Sequence, residues 1–153
     1  MSDLFDDSAL ARLERQIDEW LSRAKSNNQL ILAVDRSTEQ EIRWYVRMSG
    51  EEKEFTTVWL TLGQRTLRFE TYVMPAPDEN AQVLYENLLR RNEKLVGAHF
   101  SIGQEDAVFL RGEIPLASLS EQELDRAIGT LYSTVEQCFG SLIRIGFASR
   151  FND

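Results

Sequence analysis

The chain has 153 residues, 25 Asp and Glu against 17 Lys and Arg for a formal net charge of −8, 42% hydrophobic residues, one Cys and one His. This balance repels nucleic acid and anionic lipid unless the cations are strongly segregated, a lone cysteine cannot close an intramolecular disulfide, and no apolar run approaches the ~20 residues that span a bilayer. The length suits one domain over residues 1–153, since a chain of about 150 residues buries roughly 68–70% of the surface it exposes when unfolded.

Met1 to Asp7 is acidic and polar where a secretory leader needs positive charge followed by an apolar stretch, so a cytoplasmic location is expected. From Ser8 to Ser26, Leu10, Leu13, Ile17, Trp20, Leu21 and Ala24 recur at helical spacing, with Arg12, Glu14, Arg15, Asp18 and Glu19 on the other face. Asn27-Asn28 supplies the stop. Leu30 to Val34 is apolar but too short to classify by period, and a connector or short edge strand is expected there.

Ile42 to Met48, Phe55 to Leu62 and Thr66 to Met74 are rich in aromatic and β-branched residues and are separated by the turns Ser49-Gly50 and Gly63-Gln64. They predict an antiparallel meander. Period-two alternation puts Ile42, Trp44, Val46, Met48, Val58, Leu60, Leu62, Leu67, Phe69 and Val73 on one sheet face, which should meet the helices.

Pro75 and Pro77 end the meander, and Asp78 is expected to cap a second helix with an apolar stripe of Val83, Leu84, Leu88 and Leu95 and an exit at Gly97. Gly97 to Ile102 and Ala107 to Ile114 form a hairpin around Gly103-Gln104-Glu105-Asp106, and Pro115 breaks the strand. Ser120 and Glu123 then make a capping box, with Leu119 and Leu124 as its hydrophobic staple. Leu124, Ile128, Leu131, Val135, Cys138, Leu142 and Ile145 continue as a seam of nearly coiled-coil period that the sheet or a second subunit must cover. Gly129, Gly140 and Gly146 along it imply close packing at those points or an early end near Gly140.

The fold class is therefore α+β, a five-stranded antiparallel sheet packed by helices in the order α, β, β, β, α, β, β, α. At this point the chain resembles the YbjN-domain proteins of actinobacteria, whose fold is similar to that of the class I type III secretion chaperones. The resemblance runs from about Glu41 to Ala148 and is densest at Pro77-Asp78-Glu79-Asn80, Leu88-Leu89-Arg90-Arg91-Asn92, Phe109 to Leu116, Glu123-Leu124-Asp125-Arg126 and Gly146-Phe147-Ala148. It implies a regulatory module of sensory transduction, a chaperone role by analogy of fold, and a symmetric homodimer like those of the secretion chaperones. It brings no catalytic motif to transfer. The apolar seam, if left open, argues for the same dimer.

Catalysis finds no support in the residues. His99 stands in a predicted strand without metal-ligand spacing, and no Gly-x-Ser-x-Gly elbow, His-Glu-x-x-His helix or phosphate loop is present, so a structural or surface role is expected for it. Cys138 lies on the apolar seam, where a thiol acts as a small buried hydrophobe. The acidic clusters Asp3, Asp6, Asp7 and Glu51, Glu52, Glu54 lack the alternation and central glycine of a calcium loop. No cofactor or metal is expected. Arg90-Arg91 could hold an anion or phosphopeptide, but cations near a helix C-terminus also complement its dipole, which is the reading preferred. Asn92 could instead bond to the adjoining backbone.

The second sheet face is more informative. Alternation directs Arg43, Tyr45, Arg47, Phe55, Trp59, Arg68, Glu70, Tyr72, Phe109, Arg111 and Glu113 away from the helices. A merely solvated face would need fewer aromatics, and Tyr, Trp and Arg are the types enriched at interface hot spots. The expected function is non-enzymatic binding of a peptide or partner protein through Tyr45, Trp59, Tyr72, Phe109 and Arg111 or along a strand edge, with no nucleic acid or membrane partner. The alternative is a small-ligand sensor with a pocket between sheet and helices.

Overall fold

The computed structural model describes residues 4–151, so Asp3 of the first acidic cluster and the rest of Met1 to Asp3 lie outside the described residues. Within that range the chain runs α1 (Asp7–Asn27), β1 (Ile31–Ser37), β2 (Ile42–Ser49), β3 (Phe55–Leu62), β4 (Thr66–Met74), α2 (Ala81–Asn92), β5 (His99–Ile102), β6 (Val108–Pro115) and α3 (Glu121–Gly146). The strands form one antiparallel sheet in the order β1-β2-β3-β4-β6-β5.

The class is α+β as expected, but the sheet has six strands. The sixth is β1, which grows out of the Leu30–Val34 run and continues through Asp35, Arg36 and Ser37. Polar residues disguise that second half because β1 is an edge strand, with a partner on one side only. Arg36 also has a specific anchor. Its guanidinium bonds Asp18 Oδ2 at 2.8 Å and Glu14 Oε2 at 2.6 Å and lies 5.2 Å from the Trp44 ring centroid. Trp44 Nε1 donates to the other Asp18 oxygen at 2.7 Å. One carboxylate of α1 thus ties β1 and β2 to the helix.

All three helices bury their stripes on the same face. Leu13, Ile17 and Leu21 of α1, Leu84 and Leu88 of α2, and Leu124, Ile128, Leu131, Val135, Cys138 and Leu142 of α3 join Trp44, Val46, Val58, Leu60, Leu67, Phe69 and Leu110 in one core. The α3 seam is therefore covered by the chain's own sheet and needs no second subunit. Nor does α3 stop near Gly140: it runs on to Gly146, where a Cβ would stand 3.0 Å from Met74 Cε and 3.1 Å from Pro77 Cβ. Ser120 Oγ accepts from Glu123 N at 3.1 Å, so the cap sits where the sequence places it.

The start of α2 differs from expectation. Its N-cap is Asn80, in the left-handed region at φ 56°, and Asp78 lies before the helix. The segment around Asp78 instead closes α3. Asp78 N and Glu79 N donate to Gly146 O at 3.0 and 3.1 Å, and Asn80 Nδ2 donates to Ile145 O at 3.0 Å. Carbonyls at a helix C-terminus lack intrahelical donors, and this segment supplies them. Val83 consequently turns outward at 56% exposure, while Leu84 and Leu88 remain buried.

Leu88→Ala and Leu131→Ala should each cost about 2–5 kcal/mol of stability, because both remove several methyl or methylene groups from a packed interior. Denaturant titration checks this, and midpoints equal to the parent's would contradict the packing described.

Candidate functional site

Sheet register builds the second face as a set of rows. Asp35, Tyr45, Trp59, Glu70, Arg111 and His99 are successive cross-strand partners from one edge to the other. Directly paired side chains on one face of an antiparallel sheet touch. Tyr45 and Trp59 meet edge to face with centroids 6.0 Å apart, and Arg111 Nη2 reaches Glu70 Oε1 at 3.1 Å. One row on, Tyr72 and Phe109 are partners with centroids 5.7 Å apart and planes at 89°.

Cations are interleaved with these rings. The guanidinium carbons of Arg43, Arg47 and Arg111 lie 5.3, 4.1 and 5.1 Å from the centroids of Trp59, Phe55 and Phe109. Arg43 Nε also donates to Thr61 Oγ1 at 2.9 Å. Such stacking contributes roughly 0.5–1 kcal/mol per pair at exposed sites and holds long side chains in defined positions.

All five residues singled out from alternation therefore share this face, and none lies under a helix. Tyr45, Trp59 and Arg111 are half-buried and Tyr72 is exposed. Phe109 departs from expectation, at 7% exposure. The turn after β5 folds onto it, and a Cβ on Gly103 would collide with its ring. A groove of ≈ 250 Å³ remains between Trp59, Tyr72 and Phe109 on the sheet, Pro75 after β4, and Gln104 and Glu105 of that turn. Sequence reasoning saw the turn but not this wall, because Glu105 and Asp106 adopt φ 59° and 58°, a region non-glycine residues seldom enter.

The sheet edges are treated differently. Asn92 Oδ1 accepts from Phe100 N at 2.7 Å and its Nδ2 donates to Phe100 O at 3.1 Å, so one side chain occupies both backbone groups of Phe100 on the open edge of β5. This settles the role of Asn92 as a backbone partner. On β1, at the opposite edge, Leu32 is exposed.

The other candidates are structural in character. His99 is exposed on β5, beside Arg111 in the sheet register. Cys138 is buried in the core, and burial pushes its thiol up to about 11, far from the thiolate that nucleophilic chemistry needs. Arg90 pairs with Glu86 at 3.6 Å, Arg91 Nε donates to Asn87 Oδ1 at 2.6 Å, and both stand in the last turn of α2. Glu136 Oε2 accepts from the backbone N–H groups of Glu51 and Glu52 at 3.2 and 2.9 Å. Among the described residues no group of three or more His, Cys, Asp or Glu is placed to hold a metal ion, and no helix is long and apolar enough to cross a membrane.

Comparison with known proteins adds the following. The YbjN family model, described as "Putative bacterial sensory transduction regulator", matches residues 15–144. The Mycobacterium tuberculosis protein named Uncharacterized protein Rv0487 is 33% identical over 104 residues, 68% of this chain and 57% of that protein. Uncharacterized protein ML2442 of Mycobacterium leprae is 32% identical over 108 residues, 71% of this chain and 59% of its own length. The chain thus spans less than two thirds of these relatives. Two solved structures share the fold. A chain of the ExsC–ExsE complex has a TM-score of 0.62 at 17% identity, covering 87% of this chain and 95% of that one. A chain of the heterodimeric ExoU–SpcU complex from the type III secretion system of Pseudomonas aeruginosa has a TM-score of 0.54 at 16% identity, covering 82% and 96%.

Lys53, which the sequence did not single out, sits at the border of the face. The β2–β3 turn that carries it is tied to α3 by the Glu136 bonds and by Tyr132 OH donating to Ser49 O at 2.7 Å. Its Nζ donates to Tyr72 O at 2.6 Å and lies 5.2 and 5.8 Å from the Tyr72 and Phe139 ring centroids. Burial lowers its pKa from 10.5 to about 8. The folded chain then releases a proton that the unfolded chain still binds, so through Lys53 stability rises as pH climbs from about 8 to 10.5. NMR of the Lys53 side chain should show a midpoint near 8, and a midpoint above 10 would contradict this burial.

Proposed function

The chain belongs to the YbjN family, and from that premise we propose that it is a non-enzymatic protein-binding module, a chaperone-like or regulatory adaptor of the cytoplasm, that holds a peptide or partner protein on the helix-free face of its sheet. The observation that carries this reading is the face itself. Tyr45, Trp59 and Tyr72 keep accessible area on a surface no helix packs against, and Arg43, Arg47 and Arg111 are stacked in place around them. Rigid aromatics and pre-positioned arginines lose little conformational freedom on binding, which is why interfaces concentrate them. Both solved structures that share the fold are complexes with a protein partner, which supports the same reading. A sensor pocket between sheet and helices has less support, since the grooves there lie open at the surface.

The reading includes a homodimer, though not through the α3 seam. One exposed apolar group lies instead at α2 and β5, where Leu89 is 69% and Ile102 51% exposed beside Tyr85 and Phe100. Glu86 and Arg90 flank Leu89 on α2, so two copies meeting antiparallel would place opposite charges across the joint. Sedimentation should give a dimer at micromolar concentration, converted to monomer by Leu89→Glu with Ile102→Glu. Monomer alone for the parent chain would remove the dimer from the account.

For the binding face, Trp59→Ala and Tyr72→Ala should each weaken capture of a partner by at least about 2 kcal/mol, roughly 30-fold, with stability changed much less. Phe109→Ala is a poorer probe because its buried ring also supports the fold. Pull-downs in which both variants retain the partner at parental affinity would contradict the assignment.

A further inference from the structure

We propose that the groove between Trp59, Tyr72 and Phe109, with Glu105 on its wall, is a recognition site for the head of an organic cation, either a quaternary ammonium group or a guanidinium. The inference deepens the protein-binding reading above, and rests on it, by naming the chemistry that this part of the face selects.

Three rings converge there. Tyr72 and Phe109 stand nearly perpendicular, so the groove is bounded by an aromatic corner, and Trp59 lies on the adjacent strand in the direction of Tyr72. Aromatic faces carry partial negative charge and attract cations, most strongly those that shed water easily. A purely apolar ligand would also suit the rings. Glu105 argues against that choice: its carboxylate is exposed on the groove wall and, among the described residues, has no ion-pair partner. The carboxylate is close enough that its charge acts on the Tyr72 phenol. The adjacent Asp106 repeats its sign. An anionic ligand would meet this repulsion directly.

The face's own cations do not occupy the groove. Arg43 stacks on Trp59, Arg111 on Phe109 and Lys53 on Tyr72, yet none of the three lines it. Arg111 already serves Glu70, and Lys53 is held by the Tyr72 carbonyl. The groove thus offers ring surface and one unneutralised carboxylate without a resident positive charge. On a chain of net charge −8, long-range attraction also brings positive ligands toward it. A compact primary ammonium is the poorer fit, because it holds water strongly and a single carboxylate replaces only part of that shell.

Amide and indole N–H NMR of the full chain, titrated with choline and with its neutral isostere 3,3-dimethylbutan-1-ol, tests the proposal. Choline should shift the Trp59 indole and the amides of residues 103–109 and bind about 5- to 10-fold more tightly than the alcohol. Glu105→Gln, an exposed change of one charge, should cost most of that preference, and Trp59→Leu should abolish the shifts. Nα-acetyl-arginine amide and a short peptide bearing trimethyllysine separate the sources. Tighter binding by either than by choline assigns the site to a side chain of the partner protein, and binding by choline alone assigns it to a free quaternary ammonium solute. Equal affinity for choline and the alcohol, unchanged preference in Glu105→Gln, or no shift with any cation at millimolar concentration overturns the proposal. If a captured partner still depends on Trp59 and Tyr72 in that case, the binding face stands and only its cation chemistry falls.

Discussion

Every property of this molecule follows from covering a twisted antiparallel sheet on one side only. Side chains alternate along a strand, so the residues that send Trp44, Val46, Leu60 and Leu110 into the helices must send Tyr45, Arg47, Trp59 and Arg111 to the opposite surface. The helices supply enough apolar area to bury the first set completely. Among the described residues no α-helix packs on the second, and its aromatics instead pair with each other and with arginines. The join between layers is polar as well as apolar: Asp18 bonds Trp44 and Arg36 together and so fixes α1 over β1 and β2.

The bare face carries an electrostatic signature that stability alone does not require. Glu70 lies near its middle, almost wholly buried and bonded to Arg111. A pair with its carboxylate buried and its guanidinium half-buried gains little over well-packed apolar residues, because desolvation of the carboxylate offsets much of the attraction. Its value is positional: it holds Arg111 over Phe109 and keeps the row from Tyr45 to His99 in register. The edge is governed as tightly, since Asn92 occupies the free backbone groups of Phe100 and leaves β1 as the edge without such a plug.

Much of this was legible in the sequence where local patterns act alone. Strand alternation assigned both faces of β2, β3 and β4 and the outward residues of β6, and the Ser120 cap began α3 where it stands. Failures came where distant groups decide. Asp78 has the chemistry of a cap, but the terminal carbonyls of α3 recruit its segment through contacts some 70 residues away in sequence. Half of β1 is polar because Arg36 answers to Glu14 and Asp18. Phe109 reads as open surface until the Gly103 turn closes over it, and the Glu105 wall depends on a backbone state that composition does not signal.

The central claim is that partners meet the sheet on its helix-free side. Site-specific photo-crosslinking in cells addresses it most directly, with a photoreactive side chain placed singly at Arg47 or Arg68 on the bare face and at Arg15 or Arg144 on the helical side. The account predicts a discrete protein adduct from the first pair of positions and none from the second. Adducts from Arg15 or Arg144 alone would place the partner on the helices and contradict it.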